Sequence, residues 1–90
     1  MRFIIYSKPN CQFCEQAKTL LSTKGLAYDV VHLDVGQPQE EGEKYIERDA
    51  LLRMFPTART VPQIVFETDD AANHLGGYTE LVKFLKERTL

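Results

Sequence analysis

The chain has 90 residues, which is enough for one domain spanning 1–90 and too few for a two-domain enzyme. Hydrophobic residues make up 43% and charged residues 27%, which is typical of a globular domain and argues against disorder. The formal charge of −2 argues against binding to nucleic acid or to an anionic membrane, which usually needs a basic excess. The apolar run after residue 1 is too short for a signal peptide or a membrane span, so we expect a cytoplasmic location.

The first half of the chain predicts two strands, each followed by a helix. Residues 3–6 form a continuous β-favouring apolar run, the pattern of a strand that is buried on both faces. A helix is expected from 12 to 24, with Gly25 as its C-terminal stop. Residues 28–33 predict the second strand, and residues 39–55 predict the second helix.

The second half predicts a hairpin and a last helix. Residues 63–67 form the third strand, and residues 73–75 form a short fourth strand after a turn. Two glycines at 76–77 then open a helix whose apolar residues recur at i, i+3, i+4 and i+7, namely Tyr78, Leu81, Val82 and Leu85. The order β-α-β-α-β-β-α predicts an α/β fold with a small mixed four-stranded sheet and helices on both faces. Its first β-α-β unit should be parallel and right-handed.

The two cysteines, Cys11 and Cys14, lie at the start of the first predicted helix. Two cysteines cannot form a disulfide-stapled scaffold, and a C-x-x-C pair is typical of a redox-active or metal-binding site. Unpaired N–H groups at a helix N-terminus favour an anion, so the thiol pKa of Cys11 should fall below about 8.5, helped by Lys8. We therefore assign Cys11 as the nucleophile and Cys14, one turn further along, as the resolving thiol.

Two other interpretations of the cysteine pair have less support. A structural zinc site usually needs four ligands, and only His32 and His74 could join the two thiols. Neither histidine has ligand-like spacing, so each is expected to be an ordinary strand or surface residue, and no metal is expected. Inert, buried cysteines fit poorly with the turn-forming residues before them and the helix after them.

Three motifs, in this order, resemble those of a dithiol glutaredoxin, a family within the thioredoxin-fold superfamily. They are KPNCQFC at 8–14, TVPQ at 60–63 and GGYTE at 76–80, and together they anchor nearly the whole chain. The resemblance implies a thioredoxin-like fold and a glutathione-dependent thiol–disulfide oxidoreductase, with glutathione as reductant and co-substrate. It also implies a monomer that reduces disulfide-containing proteins, for which ribonucleotide reductase is one candidate.

The resemblance also implies a glutathione site beside the catalytic Cys11 and Cys14. Its members are Lys8, Phe13, Thr60, Val61, Pro62, Gly77, Tyr78, Thr79 and Glu80. In the family, the proline at the position of Pro62 is cis and lies against the cysteines, which leaves the backbone of Val61 free to pair with an extended peptide. The lysine at the position of Lys8 meets the glycine carboxylate, and a second partner for this carboxylate is expected among Arg48, Arg53 and Arg59.

The GGYTE motif would receive the other end of glutathione. Thr79 can cap the last helix, and the N–H groups of Tyr78 and Thr79 form a place for a carboxylate, which in the family is the γ-glutamyl carboxylate. Glu80 would then meet the α-amino group, although many relatives have the shorter Asp at this position.

The chain also departs from the family pattern at two positions near the cysteines. Gln12 stands where many dithiol glutaredoxins have proline, and Phe13 replaces a common tyrosine that packs beside ligand or core. Two alternative functions follow from related chemistry. One is a redoxin that a flavoprotein reductase reduces, against which the GGYTE motif argues. The other is an iron–sulfur carrier in which Cys11 and glutathione ligate a cluster between two subunits.

Overall fold

A computed structural model describes residues 2–58 and 60–88 of the chain. Within these ranges the elements are β1 Arg2–Ser7, α1 Gln12–Thr23, β2 Tyr28–Leu33, β3 Lys44–Ile46, α2 Arg48–Met54, β4 Gln63–Glu67, β5 Ala72–Gly76 and α3 Tyr78–Arg88. Strands β2 and β4 have the predicted bounds, and β1, β5, α1 and α3 differ from prediction by one or two residues at an end. None of the helices described is both long and apolar enough to cross a membrane.

The strands form one mixed sheet in the order β3-β2-β1-β4-β5. β1 is parallel to β2, and β2 is parallel to β3. β4 runs antiparallel to β1, with Tyr6 opposite Gln63, and β5 runs antiparallel to β4. This register places the last residues of β1 beside the first residues of β4, at the same end of the two central strands.

Alternation along the central strands divides the core into two layers. One layer lies between the sheet and helices α1 and α3, and it contains Phe3, Ile5, Ala17, Leu21, Ile64, Phe66, Leu81 and Leu85. The other lies between the sheet and α2, and it contains Tyr6, Leu51, Phe55 and Val65. Because successive side chains of a strand point to opposite faces, β1 and β4 contribute to both layers. The predicted α/β fold with helices on both faces is confirmed.

The pairing of β4 with β5 contains a β-bulge. Ile64 lies opposite Gly76 and Val65 lies opposite His74, so Leu75 has no partner in the register. Leu75 packs against the layer of α1 and α3, whereas the His74 ring lies on the ring of Phe55 beside α2.

Within the described residues the sheet has five strands rather than the predicted four. The predicted helix at 39–55 is wrong in its first half. Residues 44–46 instead form β3, which pairs with the end of β2, and α2 begins only at Arg48. Gly42 has a φ of +87°, which ends any helical path there. Tyr45 and Ile46 favour a strand, and the acidic side chains at 40–43 would repel one another on a helix.

The tyrosine at the end of the central strand gives the fold a pH dependence. Burial, and to a smaller extent the negative charge of Glu67, raises the pKa of Tyr6 above its usual value of 10.0. The unfolded chain therefore loses this proton at a lower pH than the folded chain, so the free energy of unfolding falls as pH rises above about 10.

We expect Tyr6→Phe to make this alkaline loss of stability shallower. The measurement is urea unfolding of the disulfide form at several pH values between about 9 and about 11, so that no thiol titrates. Phe66→Leu, a buried substitution that removes no titratable group, is the control for lost packing and should keep the wild-type slope. Equal slopes for Tyr6→Phe and the wild type would contradict the prediction.

Candidate functional site

The cysteine pair lies where β1 leads into α1. Cys11 is the N-cap of α1 in an extended conformation, and its Sγ accepts a hydrogen bond of 3.2 Å from the backbone N–H of Cys14. The two residues form a disulfide with their Cα atoms 5.2 Å apart. Cys11 is 9% exposed and Cys14 is 0% exposed. A thiol from outside can therefore reach only Cys11, which supports the predicted division of roles.

The loop before Cys11 turns the chain sharply after β1. Asn10 has a φ of +57°, a left-handed conformation that asparagine tolerates better than most residues. Lys8 and Asn10 are exposed, whereas Ser7 is buried at the end of β1. The turn thus places Lys8 on the surface three residues before the nucleophile.

The segment before β4 faces the cysteines. The Val61–Pro62 peptide bond is cis, as the resemblance implies, and Pro62 is buried. The carbonyl oxygen of Val61 lies 3.8 Å from Cys11 Sγ. Gln63 follows, and its side-chain amide donates a hydrogen bond to the carbonyl oxygen of Thr60, which closes the segment into a turn.

The N-terminus of α3 forms the next wall of the site. The backbone N–H of Gly77 donates a 2.7 Å hydrogen bond to Glu80 Oε1, and the first helical bond runs from the N–H of Leu81 to the carbonyl of Gly77. Gly77 is therefore the cap position, and Thr79 lies inside the first turn rather than capping the helix as predicted. The N–H groups of Tyr78 and Thr79 remain at the open end of the helix, as predicted.

A groove of about 200 Å³ collects most of the predicted binding residues. Its lining consists of Phe13, Thr60, Val61, Pro62, Gly77, Tyr78, Thr79 and Glu80. The rings of Phe13 and Tyr78 stack at 5.9 Å, and Phe13 is 56% exposed. Phe13 therefore belongs to the groove and not to the core.

A second cavity of about 450 Å³ adjoins the groove at Thr60 and Val61, which line both. Lys8 and Arg48 contribute its positive charge. Of the three candidate arginines, Arg53 lines neither cavity, and Arg59 lies outside the described residues. The structure thus brings Arg48 together with Lys8.

Sequence reasoning missed the apolar part of this second cavity, which is formed by Leu33, Leu51, Leu52 and Ala58. Leu52 is 39% exposed, and the sequence alone does not reveal this exposure because it depends on how α2 packs against the sheet. A third cavity, of about 640 Å³, lies between residues 7–12, α1, the segment 37–40 and the strands β2 and β3. Cys11 and Lys8 line this third cavity, whereas most of the other predicted binding residues line the groove.

Neither histidine lies in a metal-binding arrangement within the described part of the chain. Among the described residues, there is no group of three or more His, Cys, Asp or Glu side chains that could hold a metal ion. His32 Nε2 lies 3.8 Å from a carboxylate oxygen of Glu43, and His74 Nε2 lies 2.7 Å from Gln63 Oε1. Both residues have protein partners instead.

Comparison with known proteins identifies the family. The family model described as Glutaredoxin matches residues 3–70. The chain belongs to the glutaredoxin family. Glutaredoxin 1 of Rickettsia conorii is 33% identical over 87 residues, which cover 97% of this chain and 74% of the relative. Glutaredoxin 3 of Escherichia coli K12 is 34% identical over 77 residues, which cover 86% of this chain and 77% of the relative.

Solved glutaredoxin structures share the fold. Glutaredoxin 1 from Francisella tularensis, complexed with cacodylate, superimposes with a TM-score of 0.65 at 24% identity and covers 96% of this chain and 93% of its own. A buckwheat glutaredoxin–glutathione complex superimposes with a TM-score of 0.60 at 23% identity, over 94% of this chain and 68% of its own. The fold is thus thioredoxin-like, and family membership with the Cys11–Cys14 pair makes the chain a thiol–disulfide oxidoreductase.

We expect the two adjacent glycines of the site to differ in their tolerance of a side chain. Gly76 has a φ of +122°, and a Cβ atom there would lie 2.8 Å from Glu80 Oε1 and 2.9 Å from Glu80 Cγ. Gly76→Ala should lower the free energy of unfolding by about 1–3 kcal/mol, measured by urea unfolding. Gly77→Ala is the matched control, because its Cβ would meet nothing closer than 3.5 Å, and it should cost only about 0.5 kcal/mol. Equal losses in the two variants would show that the conformation of Gly76 is not a constraint.

Proposed function

We propose that this chain is a glutathione-disulfide oxidoreductase, which reduces mixed disulfides of glutathione and protein disulfides with glutathione as its reductant. The observation that carries the proposal is a pair of neighbouring depressions that share Thr60 and Val61, namely the groove at the N-terminus of α3 and the cavity that Lys8 and Arg48 line. The carbonyl oxygen of Val61, which both depressions share, lies 3.8 Å from Cys11 Sγ. The glutathione that the buckwheat relative binds is consistent with the same ligand in this chain.

The charges along the groove match the charges of glutathione, which has a carboxylate at each end and an ammonium beside one of them. At one end lie the cations of Lys8 and Arg48, neither of which forms an ion pair among the described residues. At the other end, the free N–H groups of α3 favour a carboxylate, and the Glu80 carboxylate offers an acceptor to the ammonium. Between them lies the partly exposed Val61, whose backbone can pair with an extended peptide.

Deglutathionylation needs only Cys11. Its thiolate, stabilised by the N-terminus of α1, attacks the glutathione sulfur of the mixed disulfide, so that the substrate leaves as a thiolate. A second glutathione thiolate then attacks the glutathione sulfur bound to Cys11. This step forms oxidised glutathione and returns Cys11 to the thiolate.

Reduction of a protein disulfide uses both cysteines. Cys11 attacks one sulfur of the substrate, and the other substrate sulfur leaves as a thiolate. Cys14 then attacks Cys11 Sγ, which releases the second substrate thiolate and leaves the Cys11–Cys14 disulfide. The burial of Cys14 directs its attack to the neighbouring Cys11 and away from outside disulfides. Two glutathione molecules restore the dithiol.

We expect the two cysteines to differ in a deglutathionylation assay. The substrate is a mixed disulfide of glutathione with a small thiol, and NADPH consumption is followed with glutathione and glutathione reductase. Cys11→Ser should abolish turnover, whereas Cys14→Ser should retain it. Equal loss in both variants would contradict the assigned roles. The proposal of a glutathione-dependent enzyme would be overturned if the folded wild type showed no turnover in this assay and a flavoprotein reductase reduced its Cys11–Cys14 disulfide instead.

The choice of arginine is tested in the same assay. Lys8→Met and Arg48→Met should each raise the KM of the mixed disulfide by about two- to fivefold, because each removes one partly screened charge from the groove. The effect should shrink at high salt. Arg53→Met is the matched control on the same helix and should keep the wild-type KM. An equal rise in KM for Arg53→Met and Arg48→Met would contradict the placement of Arg48, rather than Arg53, beside the bound glutathione.

Three expectations from the sequence analysis stay predictions. They are the cytoplasmic location, the monomeric state and ribonucleotide reductase as a protein substrate.

A further inference from the structure

A buried polar side chain begins the otherwise apolar strand β4. Gln63 is 7% exposed, between the buried residues Pro62 and Ile64. Burying an amide is unfavourable unless its donor and acceptor are both satisfied. The sequence motif contains this glutamine, but the cysteine chemistry and the groove lining assign it no role.

Both ends of the Gln63 amide have partners. Its Nε2 donates to the carbonyl oxygen of Thr60, and its Oε1 lies 2.7 Å from His74 Nε2. A carbonyl can only accept, so the amide nitrogen must face Thr60 and the amide oxygen must face the histidine. His74 Nε2 therefore carries a hydrogen. The neutral ring with its hydrogen on Nε2 and the protonated ring both satisfy this bond.

The fold holds the His74 ring in place from the other side. The ring stacks on Phe55 with centroids 4.3 Å apart, and Phe55 is buried at the end of α2. The bulge in β5 keeps His74 opposite Val65 and on the same face of the sheet as Gln63. The contacts thus run from α2 through Phe55, His74 and Gln63 to the carbonyl of Thr60.

We propose that Gln63 and His74 are positioning residues for the segment 60–62. Thr60 and Val61 line both the groove and the neighbouring cavity of Lys8 and Arg48, and the carbonyl of Val61 lies 3.8 Å from Cys11 Sγ. By fixing the carbonyl of Thr60, the His74–Gln63 pair sets where the segment meets a bound substrate, although neither side chain lines the groove. This inference rests on the proposed function, because it concerns the same groove.

The test separates the hydrogen bond from the ring stacking. Gln63→Met keeps a long side chain but loses both hydrogen bonds. His74→Phe keeps a ring on Phe55 but has no donor, whereas His74→Gln loses the ring but keeps an N–H donor near the position of Nε2. His32→Phe is the matched control, since His32 is also a strand histidine packed on an aromatic ring, Tyr45, at 5.2 Å.

The first readout is the kinetics of deglutathionylation. Gln63→Met and His74→Phe should raise the KM of the glutathione mixed disulfide about fivefold, the effect of one hydrogen bond, with kcat within about twofold of the wild type. His74→Gln should restore most of the wild-type KM, and His32→Phe should leave it unchanged. A wild-type KM in His74→Phe, or equal effects in His74→Phe and His74→Gln, would overturn the proposal.

The second readout does not depend on the substrate. Amide hydrogen exchange by NMR on the disulfide form should be about fivefold faster at position 63, where β4 begins, in Gln63→Met and His74→Phe than in the wild type. Exchange in the core strand residue Ile5 should be unchanged in these variants. Unchanged exchange at position 63 would overturn the positioning role. If the wild type shows no turnover of the glutathione substrate, the proposed function fails, and this exchange comparison still decides the inference.

Discussion

The antiparallel pairing of β1 with β4 is the constraint on which the active site depends. Its register, with Tyr6 opposite Gln63, brings the end of one central strand beside the start of the other. The cysteine loop leaves from β1 and the cis-proline segment enters β4, so two pieces of chain some fifty residues apart meet at one edge of the sheet. A shift of this register by one residue would turn the side chains of β4 to the wrong layers of the core and carry the proline segment away from Cys11.

The remaining parts of the site are helix ends that the two core layers hold against this edge. Leu21 of α1 and Leu81 of α3 are both fully buried in one layer, which fixes the two helix N-termini relative to each other. The first presents Cys11 and the second presents the open N–H groups of Tyr78 and Thr79. On the opposite face, Leu51 holds α2, and with it Arg48, against the sheet. Packing therefore sets the distances between the charged groups, and the N-terminus of α1 supplies the reacting sulfur atoms.

Local pattern was enough to predict much of this arrangement from the sequence. Strands β2 and β4 were predicted at their observed bounds because their runs of apolar and β-branched residues are bounded by turn residues. The resemblance to a known family implies one site at Cys11, Pro62 and Tyr78, and the structure brings Pro62 and Tyr78 into one groove next to Val61, whose carbonyl lies 3.8 Å from Cys11 Sγ. The strand signals are local and a single sequence carries them directly, whereas the expected site rests on the resemblance.

The features that were missed depend on contacts between distant residues. Strand β3 has three residues and gains its stability from parallel pairing with β2, which no local pattern reveals. Arg48 lines the cavity beside Lys8 and Arg53 does not, and this difference depends on where α2 begins. The sequence predicts a helix that begins at residue 39, which is too early. The bond between Gln63 and His74 depends on the bulge in β5, since without the unpaired Leu75 the histidine would have a different partner across the sheet.

The two outermost strands also affect how copies of this protein meet one another. Both edges of a sheet have unpaired backbone groups that can accept a strand from another chain, which is a common route to aggregation. Here one edge, β3, offers only three residues, and the other, β5, is interrupted by the bulge at Leu75. Neither is a long, regular template, so intermolecular sheet extension is disfavoured at both ends. The bulge that places His74 next to Gln63 thus also makes it harder for a strand of another chain to pair with β5.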